Sequence, residues 1–281
     1  MNPFQVHNWQ LAHGKTLELG VRACVMGILN VTPDSFSDGG RFTAIDNAVK
    51  QAEKMVEQGA AIVDVGGEST RPGSDPITAE EEQSRVLPVI EALLKRDVPL
   101  VSIDTYRAST ARMAIEAGAH VINDVWGFQK DPDIAEAASA TGAGICAMHT
   151  GRERQKENDV VKDQMAFLGK SLDVLKRAGV REEAIVLDPG FGFAKDPVEN
   201  AELLARLDEL HELGFPLLIG TSRKRFIGHY TGRDDANRDI GTAATSVVAR
   251  MKGGAIFRVH DVAANVDALA IADAVLTRGA G

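Results

Sequence analysis

The chain has 281 residues, 44% hydrophobic and 25% charged, with a formal net charge of −9. That length suffices for one large core, since barrels of about 250 residues fold as single domains, and the acidic balance argues against general nucleic-acid binding. No apolar run approaches the roughly 20 residues of a membrane span, residues 1–20 lack a secretory signal pattern, and Cys24 and Cys146 sit in apolar runs without metal-ligand spacing, which fits buried thiols in a reducing, cytoplasmic setting.

Residues 1–20 carry Phe4, Val6, Trp9, Leu17 and Leu19 and are expected to form a small hairpin capping the bottom of the domain. Eight short apolar runs follow: Ala23–Leu29, Ala61–Val65, Leu100–Ile103, His120–Ile122, Gly144–Met148, Ala184–Leu187, Pro216–Ile219 and Ala255–Val259. They are near-continuous rather than alternating, as strands buried on both faces of a parallel sheet are. Amphipathic stretches separate them. Ala44–Gln58 places Ile45, Ala48, Val49, Ala52, Met55 and Val56 at helical spacing, and Thr78-Ala-Glu-Glu81 reads as a capping box. A glycine stands just before four of the runs, in Gln58-Gly59-Ala60, Ala117-Gly118-Ala119, Thr141-Gly142-Ala143 and Gly253-Gly254-Ala255, where it would end each helix. Eight strand–helix units predict one α/β domain over 1–281, a (β/α)8 TIM barrel, with a doubly wound sheet as the alternative.

The first strand runs into Asn30-Val-Thr-Pro-Asp-Ser-Phe-Ser-Asp-Gly-Gly40, far longer than a tight turn of roughly two to five residues. Pro33 and the paired glycines exclude a continuing helix or central strand, and Phe36 stands exposed among oxygen-bearing side chains. Such a loop reads as one that closes over a ligand.

In a barrel, chemistry gathers at the C-terminal ends of the strands. Here those ends carry Asn30, the Gly66-Gly67-Glu68-Ser69-Thr70-Arg71 segment, Asp104, Asn123-Asp124, His149, Asp188, Thr221-Ser222-Arg223-Lys224, and Arg258 with His260. Any one could be a helix cap, Asp104 before Ala108 for example, but caps alone explain so many coincidences poorly. A carboxylate accepts two parallel hydrogen bonds from a planar heterocycle, and Arg71, Lys224, Arg258 and His260 suit phosphate or pyrophosphate. Phosphate loops of the Gly-x-x-x-x-Gly-Lys type, nucleophile elbows and helical zinc motifs are absent. Asn30 and the first-loop aspartates suit Mg2+.

Asn30–Gly40, Asp64-Val-Gly-Gly-Glu-Ser-Thr-Arg-Pro-Gly73, Asp188-Pro-Gly-Phe-Gly-Phe193, Ser222-Arg-Lys224 and Arg258-Val-His260 resemble, in order and across residues 24–262, the motifs of dihydropteroate synthases. The resemblance implies a TIM barrel, usually a homodimer. It implies condensation of 6-hydroxymethyl-7,8-dihydropterin pyrophosphate with 4-aminobenzoate in folate biosynthesis, hence a sulfonamide target. Carried onto this chain, it implies a pterin site of Asp104, Asn123, Met148, Asp188, Phe193, Lys224 and Arg258. Asn30, Arg71, Arg258 and His260 would hold pyrophosphate, with Asn30 on Mg2+. Phe36, Thr70, Pro72, Phe193 and Lys224 would form the aminobenzoate pocket, and Asp38 or Asp34 would stabilise a pterin cation beside the catalytic Arg71 and Lys224.

Two segments depart from the pattern: Arg225 stands where many members carry serine and is open to binding the aminobenzoate carboxylate or to facing solvent, and Thr150–Gln164 reads as a solvated loop in preference to a substrate lid. Asp124 is open to a bracing role, His149 to a core-edge role, and Glu68 to pairing with Arg71. The rival functions are a pterin-dependent methyltransferase and a non-catalytic pterin-binding protein.

Overall fold

The computed structural model describes residues 2–31, 40–69, 75–96 and 98–279. Its first two strands, β1 (His7–Gln10) and β2 (Thr16–Leu19), pair antiparallel as the expected hairpin. Eight more strands follow: β3 (Cys24–Asn30), β4 (Ile62–Gly66), β5 (Val101–Asp104), β6 (Val121–Asp124), β7 (Gly144–Met148), β8 (Ile185–Asp188), β9 (Leu217–Ile219) and β10 (Gly254–Val259). All pair parallel in chain order, and β10 closes the ring against β3, so the sheet is a barrel and the doubly wound alternative falls. The helices between and after them are α1 (Gly40–Glu57), α2 (Ala79–Leu93), α3 (Ala108–Glu116), α4 (Ile134–Thr141), α5 (Val160–Arg177), α6 (Pro197–Ala205), α7 (Arg225–Thr231), α8 (Asp239–Met251) and α9 (Val262–Gly279).

Local chemistry explains the punctuation. Gly59, Gly118, Gly142 and Gly253 all take positive φ at the helix-to-strand joins, a conformation that costs glycine little. The capping box of α2 is half made: Thr78 accepts from Glu81 N at 3.2 Å, while the Glu81 carboxylate pairs with Arg85. The reciprocal box is at α6, where Asp196 and Glu199 each bond the other's backbone N–H at 2.8 Å.

The strand period of two sorts the barrel lumen by height. Near the N-terminal ends, Met26, Ile62, Val121, Cys146, Val186, Leu218 and Ile256 pack as one apolar plug with Trp9, Leu11 and Leu19 of the hairpin segment. Trp9 is fully buried and donates its Nε1–H to Ala184 O at 2.8 Å, which fastens the hairpin under the barrel. Two residues further along the same faces the plug gives way to Asp64, Asn123, Met148, Asp188 and Arg258. The helix-facing side chains form the larger core, including Val63, Ile90, Ile122, Leu168 and Phe257. Cys24 and Cys146 are both buried free thiols. No helix among the described residues is long and apolar enough to cross a membrane.

Candidate active site

The mouth of the barrel is built by adjacent strands presenting polar side chains inward at matched heights. Register pairs Gly66 with Asp104, Asp104 with Asn123, and Met148 with Asp188 across neighbouring strands. The cleft they form is lined by Asp104, Asn123, Val125, Met148, Asp188, Gly190, Phe193, Gly220, Lys224 and Arg258. All seven residues expected of the pterin site therefore converge. A larger hollow between α4 and α5, lined by Glu136, Lys170, Asp173 and Arg177 among others, is an open surface depression outside the barrel mouth and brings none of these groups together.

Arg258 crosses the lumen. Its Nε donates to Asp64 Oδ2 at 2.6 Å and an NH2 nitrogen to Asp104 Oδ2 at 2.7 Å. Asn123 Nδ2 donates to the same Asp64 oxygen at 3.1 Å. Burial and the negative charge of Asp64 push the Asp104 carboxyl up against the pull of Arg258, while the two aspartates hold the guanidinium charged. Asp64 Oδ1 is buried and has no hydrogen-bond partner, so one acceptor in the lumen stays unsatisfied. Asp104 is thus a site residue rather than a cap: the first N–H of α3, Ala108 N, is taken by Asp131 Oδ2 at 2.7 Å instead.

Asp188 is 4% exposed, and burial pushes its carboxyl up to about 6 despite the Gly190 N–H and the nearby Lys224 and Arg258. Opposite it, burial and the Arg258 charge bring the Lys224 amine down to about 8. Lys224 Nζ sits 4.2 Å from the Phe193 ring centre, a cation–π contact, and Arg152 Cζ lies 4.6 Å from the same ring. Arg223, between Ser222 and Lys224, takes φ +56° and makes a two-pronged ion pair with Asp239 at 2.8 Å on both arms. That anchors the turn presenting Lys224. Ser222 Oγ is 2.9 Å from His260 Nδ1 and accepts from His260 N at 3.1 Å. Burial and the neighbouring cations Arg223 and Arg258 hold His260 down to about 3, so it offers the site a neutral imidazole.

Asn30 ends β3 with an exposed side chain, and its Oδ1 and Asp104 Oδ2 flank Gly66. Arg71, Thr70, Pro72, Phe36, Asp34 and Asp38 lie outside the described residues. Glu68 pairs with Arg107 at 2.6 Å and accepts from Tyr106 Oη at 3.2 Å. Asp124 braces the turn after β6 by accepting from Trp126 N and Phe128 N, both at 2.7 Å. Arg225 is exposed at the start of α7.

Thr150–Gln164 is a loop over 151–158, with Glu153, Gln155, Glu157 and Asn158 exposed, but its two ends depart from the expected solvated segment. Thr150 and Gly151 are buried, Arg154 reaches inward to Asp163 at 2.6 Å, and residues from Val160 onward form the first turn of α5. The many charges at its start hid the apolar Val160, Val161, Phe167 and Leu168 that bury the helix. Sequence reasoning also left Asp64 and Lys195 without roles. Asp64 had one signal: a carboxylate in the middle of the apolar run Ala61–Val65.

A family model described as pterin binding enzyme matches residues 26–260. The dihydropteroate synthase of Clostridium beijerinckii is 47% identical, the match covering 94% of this chain and 98% of that protein. The dihydropteroate synthase of Escherichia coli K12 is 43% identical, covering 95% and 96%. Among solved structures, the Xanthomonas albilineans dihydropteroate synthase with 4-aminobenzoic acid superposes with a TM-score of 0.90 at 42% identity, over 96% of this chain and 98% of that one. The Clostridium difficile enzyme in the presence of pteroic acid gives 0.89 at 45% identity, over 92% and 98%.

Proposed function

The chain belongs to the pterin-binding enzyme family, and from that premise we infer that it is a dihydropteroate synthase. It condenses 6-hydroxymethyl-7,8-dihydropterin pyrophosphate with 4-aminobenzoate to give 7,8-dihydropteroate and pyrophosphate. The observation that carries this reading is the convergence of Asp104, Asn123, Asp188, Lys224 and Arg258 with Met148 and Phe193 in one cleft at the barrel mouth. A planar heterocycle with polar edges and an apolar face matches that lining.

In this reading Asp188 accepts the 2-amino and N3 hydrogens of the pterin as two parallel bonds. Those bonds to the charged form offset the burial that raises its carboxyl. Asn123 and Asp104 take the remaining ring edge, Met148 and Phe193 wall the ring, and Arg258, fixed by two carboxylates, packs on its face. Arg258 would also face the pyrophosphate, with Asn30 and the His260 N–H, and the family resemblance assigns Arg71 to the same group. The methylene–oxygen bond then breaks with its electron pair passing to pyrophosphate, leaving a cation delocalised into the dihydropterin. Pre-placed cations around the leaving group lower that barrier because they need not reorganise in a water-poor site. The aminobenzoate nitrogen attacks the methylene with its lone pair and afterwards loses a proton, so no protein nucleophile takes part. Asp38 or Asp34 would face the cation, and Phe36, Thr70, Pro72, Phe193 and Lys224 would hold the arylamine. Sulfonamides, which mimic it, would bind in the same place.

Asn30, exposed at the end of β3, would offer Mg2+ one hard amide-oxygen ligand, the remaining ligands coming from water and the pyrophosphate. The ion would neutralise charge on the departing pyrophosphate. A homodimer is part of the reading: α8 and α9 pack together and expose Ile240, Val248, Met251, Ile271 and Val275, with Ile240 at 87%. A cytoplasmic location accords with its soluble substrates.

The test is turnover with both substrates, read as 7,8-dihydropteroate by mass. A methyltransferase would leave the pair unreacted and move a methyl group, and a binding protein would retain the pterin without releasing pyrophosphate; either result would displace the assignment.

A further inference from the structure

The turn after β8 is held from three sides. Gln164 Nε2 donates to Pro189 O at 3.1 Å, Gly192 N donates to Asn200 Oδ1 at 2.7 Å, and Lys195 Nζ donates to Gly190 O at 2.9 Å. The lysine is the costly member. It is 9% exposed, and long cationic side chains are rarely buried without a task. Its second partner is His149 Nδ1 at 2.8 Å. His149, itself fully buried, sets its Nε2 2.9 Å from Asp163 Oδ2 and 2.8 Å from Arg154 Nη2, and Arg154 Nη1 and Glu157 N donate to the other oxygen of that carboxylate.

Gly190 is where this chain of contacts meets the site. Its N–H donates to Asp188 Oδ1 at 2.7 Å, and its carbonyl accepts from Lys195 and from Phe193 N at 3.1 Å. Its φ is +64°, and a Cβ there would meet His149 O at 1.9 Å. The residue is wedged between β7 and the lysine, with its two polar groups aimed at two pterin-site members. We propose that Lys195, seated on His149, is a positioning residue for pterin recognition: it fixes Gly190 so that Asp188 presents its carboxylate edge and Phe193 its ring to the pterin. The proposal rests on the assignment of Asp188 to the pterin site.

A structural role alone makes a different forecast. Replacing a buried charged group by an apolar one of similar volume is often neutral or stabilising, so a merely space-filling lysine would tolerate methionine. Burial and neighbouring cations already hold the Lys195 amine down to about 7. Both its charged and neutral forms can donate to Gly190 O, so the device works across that range.

The test is a double-mutant cycle on the full-length enzyme, with calorimetric binding of 6-hydroxymethyl-7,8-dihydropterin pyrophosphate as the readout and thermal denaturation as the check on folding. Lys195→Met should weaken binding at least tenfold, and Asp188→Asn on its own about a hundredfold. In the double variant, Lys195→Met should add less than twofold, because the lysine acts through the carboxylate already removed. Lys195→Gln, which keeps an N–H donor, should recover part of the loss and stands in for the methionine variant should that fail to fold. Unchanged affinity in both Lys195 variants, or additive losses in the cycle, would overturn the proposal while leaving the pterin site intact. Unchanged affinity in Asp188→Asn would overturn the site assignment itself.

Discussion

Asp64→Asn is the substitution that most exposes how the mouth is wired. The carboxylate is fully buried and gives one oxygen to both Arg258 and Asn123. Asparagine keeps the volume and can still accept from Arg258 Nε, but the acceptor loses its charge, and Asp104 is left as the carboxylate partner of the guanidinium. Hydrogen bonds to charged groups contribute about 1.5–3 kcal/mol against about 1 for neutral ones; the guanidinium keeps its charge, so the pair itself loses at most about 1–2 kcal/mol. Part of that is regained by no longer burying a second carboxylate. The global cost in urea unfolding should therefore be small, about 1 kcal/mol. The kinetic cost should be larger, because a displaced guanidinium misplaces the group facing both pterin and pyrophosphate, and a shift of about 1 Å can cost about a hundredfold. The same variant should lower the Asp104 carboxyl, since the Asp64 charge is one of the causes that raise it. Steady-state kcat/KM for the pterin substrate is the assay. A value within threefold of wild type would refute the claim that Asp64 holds Arg258 in its working position.

Asp188 carries a pH signature of its own. Its carboxyl is raised to about 6, so the folded protein holds that proton more tightly than the unfolded chain, and this group's contribution to stability falls as pH rises from about 4 to about 6. Asp188→Asn should abolish turnover yet raise the melting midpoint at pH 7, by the equivalent of about 1–3 kcal/mol; a lowered midpoint would contradict the burial argument. In the wild type, pterin affinity measured by titration should fall as pH drops below about 6. Lys224→Ala should likewise remove turnover without unfolding the barrel, checked by circular dichroism. Ser222→Ala deprives His260 Nδ1 of its partner and should lower kcat/KM for the pterin substrate about tenfold, the value of one hydrogen bond. Trp9→Ala should cost about 3–5 kcal/mol in denaturant unfolding, with kcat unchanged below the melting range because the indole packs at the opposite end of the lumen.

Much of this architecture could be read from residues alone. Eight continuous apolar runs, with glycines at helix ends, indicate parallel strands buried on both faces, and their number points to a barrel, but the pairing of β10 with β3 that closes the ring is visible only in the structure. The strand-end polar residues were legible for the same reason: Asp104, Asn123, Asp188 and Arg258 break apolar runs at one height. What pairs with what was not legible, because partners lie far apart in the chain. Arg258 meets Asp64 from the far end of the sequence, and Lys195 meets His149 only because β7 and β8 are neighbours. The charge of His260 was not legible either, because residue type gives no measure of burial, and burial lowers its pKa. Within the loop from Thr150, the inward pairing of Arg154 with Asp163 was not legible, because charges that pair inward look the same in sequence as charges that face water.

The most direct test of the account is pyrophosphate release by the purified enzyme, followed against 7,8-dihydropteroate formation. With both substrates present the account predicts one pyrophosphate per dihydropteroate, and loss of both signals in Asp188→Ala and Lys224→Ala. Turnover near the wild-type rate in either variant, or no release with the correct pair of substrates, would contradict it.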